Sequence, residues 1–286
     1  MSINLKTQQQ ISSLDLQQEM SSCRAQPFIK WAGGKQALLS QIIKKFPKEI
    51  GRYVEPFVGG GAAFFAVKHP ASTIADLNWW LIDSYKAIRE DWQAVAQELD
   101  LIPNTKEEFL RVRAIDPRSL SLPKRAAYFI YLNKTCFRGL FRVNQQGRFN
   151  VPYGAYDRRY YDPFVLADVA IALEKCEILS ADFEAALLGL STDDFVYLDP
   201  PYYKFGGFSD FNRYTSGQFR EVDHLRLASV CNELDHNGVR WAQSNSDTPF
   251  IRSLYKRFRI NEISARREIN LNSKNRNIVE LFILNY

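Results

Sequence analysis

The chain has 286 residues, of which 46% are apolar and 14% aromatic, enough to bury a substantial core in one large domain or two modest ones. No stretch approaches the about 18 unbroken apolar residues of a membrane span, and the polar start Ser2 to Gln18 lacks the apolar centre of a secretory signal, so a soluble cytoplasmic protein with no membrane partner is expected. Cysteines at 23, 136, 176 and 231 and histidines at 69, 224 and 236 show neither metal-ligand spacing nor disulfide-scaffold density, so no metal is expected; the net charge of +5 is by itself a weak pull toward a polyanion.

In chain order, residues 1–24 are rich in Gln, Ser and Lys and read as a polar N-terminal tail. Lys35 to Phe46 has an amphipathic helical period stopped before Pro47, and Arg52-Tyr53-Val54 reads as a strand running into Glu55-Pro56. The glycines Gly59-Gly60-Gly61 then open a helix over Ala62 to Lys68, followed by the strand Ser72 to Ala75 with a polar stop at Asp76. Strand, glycine turn, helix, strand, acid is an α/β signature. Helical periods follow over Trp79 to Leu99, Lys106 to Ile115 and Ala126 to Leu132. Lys134 to Tyr161 loses that period, gains Gly139, Gly147, Pro152 and Gly154, and reads as loops and short hairpins inserted into the α/β frame. The frame resumes with a helix over Val165 to Leu173, a strand over Cys176 to Leu179, and the strand 195–198. A helix over 218–235, a strand over Val239 to Gln243, a helix over 249–256, and strands over Phe258 to Ile263 and Val279 to Leu284 complete it.

Charge is distributed unevenly. Between Lys124 and Tyr160 stand eight basic residues against the single acid Asp157, interleaved with nine Phe or Tyr. Cations that meet phosphates, alternating with rings that meet bases, make a nucleic-acid footprint; a solvated basic face over an aromatic core is the competing reading.

Two segments carry chemistry. Glu55-Pro56-Phe57-Val58-Gly59-Gly60-Gly61 is a glycine turn that lets backbone approach a bound molecule, although it is neither a Gly-x-Gly-x-x-Gly dinucleotide fingerprint nor, with Gly33-Gly34-Lys35-Gln36, a P-loop. Asp76, at the end of the next strand, stands where a carboxylate accepts ribose hydroxyls. Asp199-Pro200-Pro201-Tyr202 closes the apolar run Phe195 to Leu198. Its prolines fix the backbone so that a carboxylate and a carbonyl can take both hydrogens of an exocyclic amine, turning the lone pair toward an electrophile, while Tyr202 stacks on the heterocycle.

Phe28-Ile29-Lys30-Trp31-Ala32-Gly33-Gly34-Lys35, the glycine turn, Asp76-Leu77-Asn78 and Asp199-Pro200-Pro201-Tyr202 together resemble the Dam-type, or D12 class, DNA adenine-N6 methyltransferases, from about Pro27 to the C-terminus. The resemblance implies a Rossmann-like S-adenosylmethionine-dependent methyltransferase fold with an inserted, mainly helical and hairpin-containing DNA-recognition domain. It divides the chain into the tail (1–24), a first methyltransferase part (25–103), a target-recognition insertion (104–170) and a second methyltransferase part (171–286).

It also implies S-adenosyl-L-methionine as cofactor, S-adenosyl-L-homocysteine as product, and double-stranded DNA as partner. Trp31 and Lys35 would border the methionine end of the cofactor, Phe57, Gly59 and Gly61 would form the turn beneath it, Asp76 would bind its ribose, and Asp182 with Phe183 would meet its adenine. Asp199, Pro200, Pro201 and Tyr202 would be catalytic, at a flipped target adenine. In the insertion, Lys134, Phe137, Arg138, Leu140, Arg142 and Asn150 would meet DNA, with Phe137 as a wedge and Arg142 on a guanine edge. GATC is the candidate sequence, with one departure: Arg138 stands where GATC-specific relatives carry a shorter polar residue. Ser244-Asn245-Ser246-Asp247-Thr248 would position a loop, and Arg266, Arg267, Lys274 and Arg276 would lie in a DNA-facing loop. A monomer is expected, associated with the nucleoid when on DNA; a companion restriction endonuclease is left open. The other readings are the same chemistry on RNA, and a catalytically silent DNA-binding protein.

Overall fold

The computed structural model describes residues 24–36, 38–203, 219–266 and 277–286. The residues of the tail up to 23, and Arg267, Lys274 and Arg276 of the expected DNA-facing loop, lie outside them. The strands are β1 (Arg52–Glu55), β2 (Ser72–Asp76), β3 (Glu177–Ser180), β4 (Asp194–Leu198), β5 (Arg240–Ser246), β6 (Arg259–Arg266) and β7 (Asn277–Leu284). They form one sheet in the order β3-β2-β1-β4-β5-β7-β6, in which only β7 runs antiparallel to its neighbours.

The centre of this sheet is dictated by the unbroken apolar run of β4. Phe195-Val196-Tyr197-Leu198 is buried throughout, as a parallel strand covered on both faces must be. Alternation then sorts the side chains. Tyr53, Phe195, Tyr197 and Ile74 enter one core, while Val54, Val196, Leu198 and Trp241 enter the core on the other face. Register keeps like with like, since Val54 lies opposite both Thr73 and Val196, and Val196 lies opposite Trp241.

The helices are α1 (Leu39–Ile43), α2 (Ala62–Val67), α3 (Trp79–Asp100), α4 (Lys106–Ala114), α5 (Leu122–Thr135), α6 (Pro163–Leu173), α7 (Phe183–Ala186), α8 (Glu221–His236) and α9 (Pro249–Leu254). Side-chain caps set several starts: Asn78 accepts from Leu81 N, Thr105 from Glu108 N, Asp162 from Phe164 N and Thr248 from Ile251 N. Pro163 and Pro249 then occupy first-turn positions where no N–H is needed. Within α3, Asp91 leaves helical geometry (φ −158°, ψ 82°) and its carboxylate caps Ala94 N, restarting the helix after a kink.

The structure departs from the sequence expectations at several edges. The helix expected over Lys35 to Phe46 is only α1; its first residues form a turn in which Lys35 O accepts from Leu38 N and Leu39 N, at 2.8 and 2.9 Å. β5 runs on through Ser244, Asn245 and Ser246, because β7 pairs with it residue by residue up to Ser246 opposite Glu280. α5 begins at Leu122, four residues before its expected apolar stretch, and the four-residue α7 has no counterpart in the periodicity, being set by the Asp182 cap.

The insertion follows its expected character. After α4 and α5, a 3-10 turn spans Phe137–Gly139, and bridges join Cys136 to Tyr153 and Val143 to Phe149. Its aromatic residues Phe109, Phe129, Phe141 and Phe149 share one continuous core with Trp80, Ile88 and Leu166, and through them with the sheet. The insertion therefore stands on the same packed foundation as the strand ends beside it.

Candidate active site

Strand order reverses at β1 and β4: from β1 the chain proceeds to β2 and β3, and from β4 to β5 on the other side. Ligands of open α/β sheets bind at such a point, beyond the carboxyl ends of the strands. Both motif segments leave the sheet there, Glu55-Pro56 from β1 and Asp199-Pro200 from β4.

After β1 the glycine turn is tightly enclosed. Gly59 has φ +48°, and a Cβ there would stand 2.6 Å from Trp31 Nε1; Gly61 has φ +75°, and a Cβ there would meet Tyr85 Oη at 2.7 Å. Only glycine allows both this backbone and this closeness. Asp76 Oδ2 accepts from Gly59 N at 3.1 Å and Oδ1 from Asn78 N at 2.8 Å, so the acid at the end of β2 ties down the turn while the carboxylate keeps acceptor capacity. Burial pushes the Asp76 carboxyl up to about 6, although the N–H groups of Asn78 and Gly59 oppose the rise. Behind it, burial pushes Glu55 up to about 8; its carboxyl accepts from Tyr53 Oη at 2.7 Å.

At the end of β4 the buried Lys35 Nζ lies 3.0 Å from Asp199 Oδ1 and 4.3 Å from the centre of the Tyr202 ring. It also donates to Gly33 O at 3.0 Å. A nitrogen bearing hydrogens and positive charge is thus held between a carboxylate and an aromatic face. Burial raises the pKa of Asp199 above the usual carboxylate range, and the Lys35 ammonium draws it back down. Tyr202 Oη donates to Glu280 Oε2 at 2.7 Å. Pro200 is buried and Pro201 half-buried. The following residue is anchored to β5, with Tyr203 O accepting from Ser246 Oγ at 2.5 Å.

An aromatic wall adjoins the site: Phe57 lies 5.5 Å from Phe183 and 5.8 Å from Phe219, ring centre to ring centre. Asp182 caps Glu184 N at 3.1 Å and pairs with Arg226 at 3.1 Å, so its carboxylate serves α7 and α8. The donor set fits S-adenosylmethionine: a carboxylate with spare lone pairs for a diol, rings for a flat base, and a close-approach glycine turn.

Segment 28–35 links this site to the insertion. Trp31 stacks on Phe141 at 5.8 Å and 22° while covering Gly59 and Gly60. Lys30 N donates to Asn133 Oδ1, and Asn133 Nδ2 donates to Lys30 O, both at 2.8 Å. Lys134 is half-buried beside this junction; burial lowers it to about 8, with the charges of Lys30 and Arg158 adding to the effect. Phe137 is 46% exposed, Arg138 (φ +59°) places its guanidinium 5.2 Å from the Phe137 ring centre, and its N–H donates to Tyr156 Oη at 2.8 Å. Leu140 packs inward on the core. Arg142 Nε donates to Asn150 Oδ1 at 2.8 Å, which orients the rest of its fork.

The sequence-singled residues therefore form two connected groups, one at the strand ends and one on the insertion. Glu280 was not singled out, although it had a signal as the single charged residue in Asn-Ile-Val-Glu-Leu-Phe-Ile-Leu; Asn133 opens the insertion run 133–142, but its partners at Lys30 are backbone atoms far off in sequence and gave no signal.

A family model described as "D12 class N6 adenine-specific DNA methyltransferase" matches residues 31–269. The type II methyltransferase M.MjaIII of Methanocaldococcus jannaschii is 38% identical, with 91% of this chain and 99% of that protein covered. The retron Ec67 DNA adenine methylase of Escherichia coli is 37% identical, with 86% of each covered, and the DNA adenine methylase of Escherichia coli K12 is 31% identical, with 91% and 94% covered. With its motifs gathered at the switch point of the sheet, the chain belongs to the D12 class of N6 adenine-specific DNA methyltransferases.

Proposed function

We propose that the chain methylates adenine N6 at one short sequence in double-stranded DNA, with Asp199, Pro200, Pro201 and Tyr202 at the target base. The observation that carries this is the seat of Lys35 Nζ, 3.0 Å from Asp199 Oδ1 and 4.3 Å from the Tyr202 ring centre. An adenine amine offers the same features as the ammonium that sits there: N–H donors, and positive charge that grows during methylation. When Lys35 withdraws, the flipped adenine takes this seat, with Tyr202 against its ring and its two N–H groups on Asp199 and a neighbouring carbonyl.

S-adenosylmethionine supplies an activated methyl group. Trp31, Lys35, Phe57, Gly59, Gly61, Asp76, Asp182 and Phe183 surround it in this reading: Asp76 accepts its ribose hydroxyls, Phe57 and Phe183 flank its adenine, and Trp31 closes the glycine turn. By accepting one N–H while a neighbouring carbonyl accepts the other, Asp199 helps turn the N6 lone pair away from the ring system and stabilises the positive charge that builds on nitrogen. Exclusion of water by the buried Pro200 strengthens that interaction. Alignment supplies much of the remaining rate.

On the insertion, Lys134 meets phosphate, Phe137 wedges at the emptied position, Leu140 supports the reading loop, and Arg142, oriented by Asn150, takes a guanine edge. Arg138 is the position at which the recognised sequence departs from GATC. The chain works as a monomer in the cytoplasm, on the nucleoid; pairing with a restriction endonuclease accords with its likeness to a type II methyltransferase.

Asp199→Asn and Tyr202→Ala are to be compared with wild type in single-turnover methylation of duplex DNA, with cofactor affinity measured beside it. A loss of about a hundredfold or more in rate at unchanged cofactor affinity is expected. Retention of rate in Asp199→Asn would remove the amine-acceptor role.

A further inference from the structure

We propose that Glu280 is a positioning residue for methyl transfer, whose carboxylate holds the Tyr202 phenol and so fixes the ring face against which the target amine lies. The inference rests on the reading above that Tyr202 faces the adenine. Glu280 lies beyond residues 31–269, the span matched by the family model.

The geometry is specific. Glu280 stands on β7 between two hydrogen-bonded neighbours, opposite Ser246 on β5 and Ile263 on β6, so its backbone is fixed from both sides. It is the only charged residue in Asn277–Leu284, and Leu281 to Leu284 after it are all buried. Its Oε2 accepts from Tyr202 Oη at 2.7 Å. Across the ring, Lys35 Nζ lies 4.3 Å from the centroid and bonds to Asp199 at 3.0 Å. Three separate parts of the chain, 35, 199–202 and 280, therefore converge on one aromatic ring.

Two consequences follow. A phenol that donates to a carboxylate makes a charge-assisted bond, stronger and more directional than one to a neutral acceptor, and this locks the rotation and tilt of the ring. An anionic acceptor also shifts electron density onto the phenol, so the ring face becomes more negative where the amine gains positive charge during transfer. Glu280 thus acts through Tyr202 without touching substrate. A merely structural carboxylate would stabilise the fold and leave the rate at saturation unaltered.

The test is a double-mutant cycle on single-turnover rate at saturating cofactor and duplex DNA, using Glu280→Ala, Glu280→Gln, Tyr202→Phe, the double variant Tyr202→Phe with Glu280→Ala, and Tyr202→Ala as the control for the underlying reading. Cofactor and DNA affinities and melting temperature are recorded for each. Expected is an about tenfold slower transfer in Glu280→Ala with affinities unchanged, partial rescue by Glu280→Gln, which keeps an acceptor oxygen but no charge, and an effect of less than about twofold once Tyr202 lacks its hydroxyl. Full rate in Glu280→Ala while Tyr202→Ala is crippled would overturn the role of Glu280 and leave that of Tyr202 standing. An equal loss in the presence and absence of the Tyr202 hydroxyl would also overturn it. Full rate in Tyr202→Ala would remove the underlying reading and this inference together.

Discussion

Replacing Asn133 by Ala tests whether the insertion is mechanically joined to the cofactor side of the site. The side chain is fully buried and donates to Lys30 O and accepts from Lys30 N, both at 2.8 Å, with a longer bond to Gly139 O at 3.3 Å. Alanine leaves the half-buried Lys30 N–H and C=O without these partners, each costing roughly 1–3 kcal/mol and nearer the lower end where water has some access, so a total near 3 kcal/mol is expected even if the weak third bond counts for nothing. For a chain of this length that corresponds to a fall in melting temperature of about 6 °C. Asn133→Asp is the sharper variant. It keeps an acceptor for Lys30 N but points a second oxygen at the carbonyls of Lys30 and Gly139, so it should be no more stable than Asn133→Ala. Thermal denaturation followed by circular dichroism reads both; an Asn133→Ala melt within about 2 °C of wild type, or a wild-type melt for Asn133→Asp, would refute the reasoning.

Three more expectations can be checked directly. Gly59→Ala places a Cβ 2.6 Å from Trp31 Nε1 at a backbone φ of +48°, so cofactor affinity by calorimetry should fall about tenfold or more; wild-type affinity would show that the turn adapts. The Asp76 carboxyl is pushed up to about 6, so its contribution to folding stability is greatest at low pH and is lost as pH rises through about 6. Cofactor affinity should run the opposite way, rising through the same window as the carboxylate forms, and Asp76→Asn should flatten both profiles. Asn150→Ala removes the bond that orients Arg142, and should cost about tenfold in discrimination at a single base of the recognition sequence while leaving the salt dependence of binding intact.

The sheet was legible because its central strand β4 is an unbroken apolar run, Phe195 to Leu198, ending at Asp199, and because short apolar stretches bounded by turn residues mark its neighbours. Long helices such as α3 were legible from period, and their starts from capping residues. What escaped the sequence was settled by partners distant along the chain. The stretch Lys35 to Phe46 has a helical period, yet Lys35 is drawn to Asp199 by an ion pair, and only Leu39–Ile43 is helical. The strand expected to end at Gln243 is carried on through Ser246 by pairing with β7. Lys35 was expected beside the methionine end of the cofactor; its contacts with Asp199 and Tyr202 at the end of β4 are ones that no local pattern could give. Glu280 is joined to Tyr202 by one bond and Asn133 to Lys30 by two, all across the fold, which spacing along the chain does not encode.

The most direct measurement is to incubate the full chain with isotopically labelled S-adenosylmethionine and unmethylated genomic DNA, and to map modified bases by single-molecule sequencing. The account predicts label in duplex DNA as N6-methyladenine at one recurrent short motif, and none in RNA. Absence of label from DNA by a protein that still binds the cofactor would contradict it.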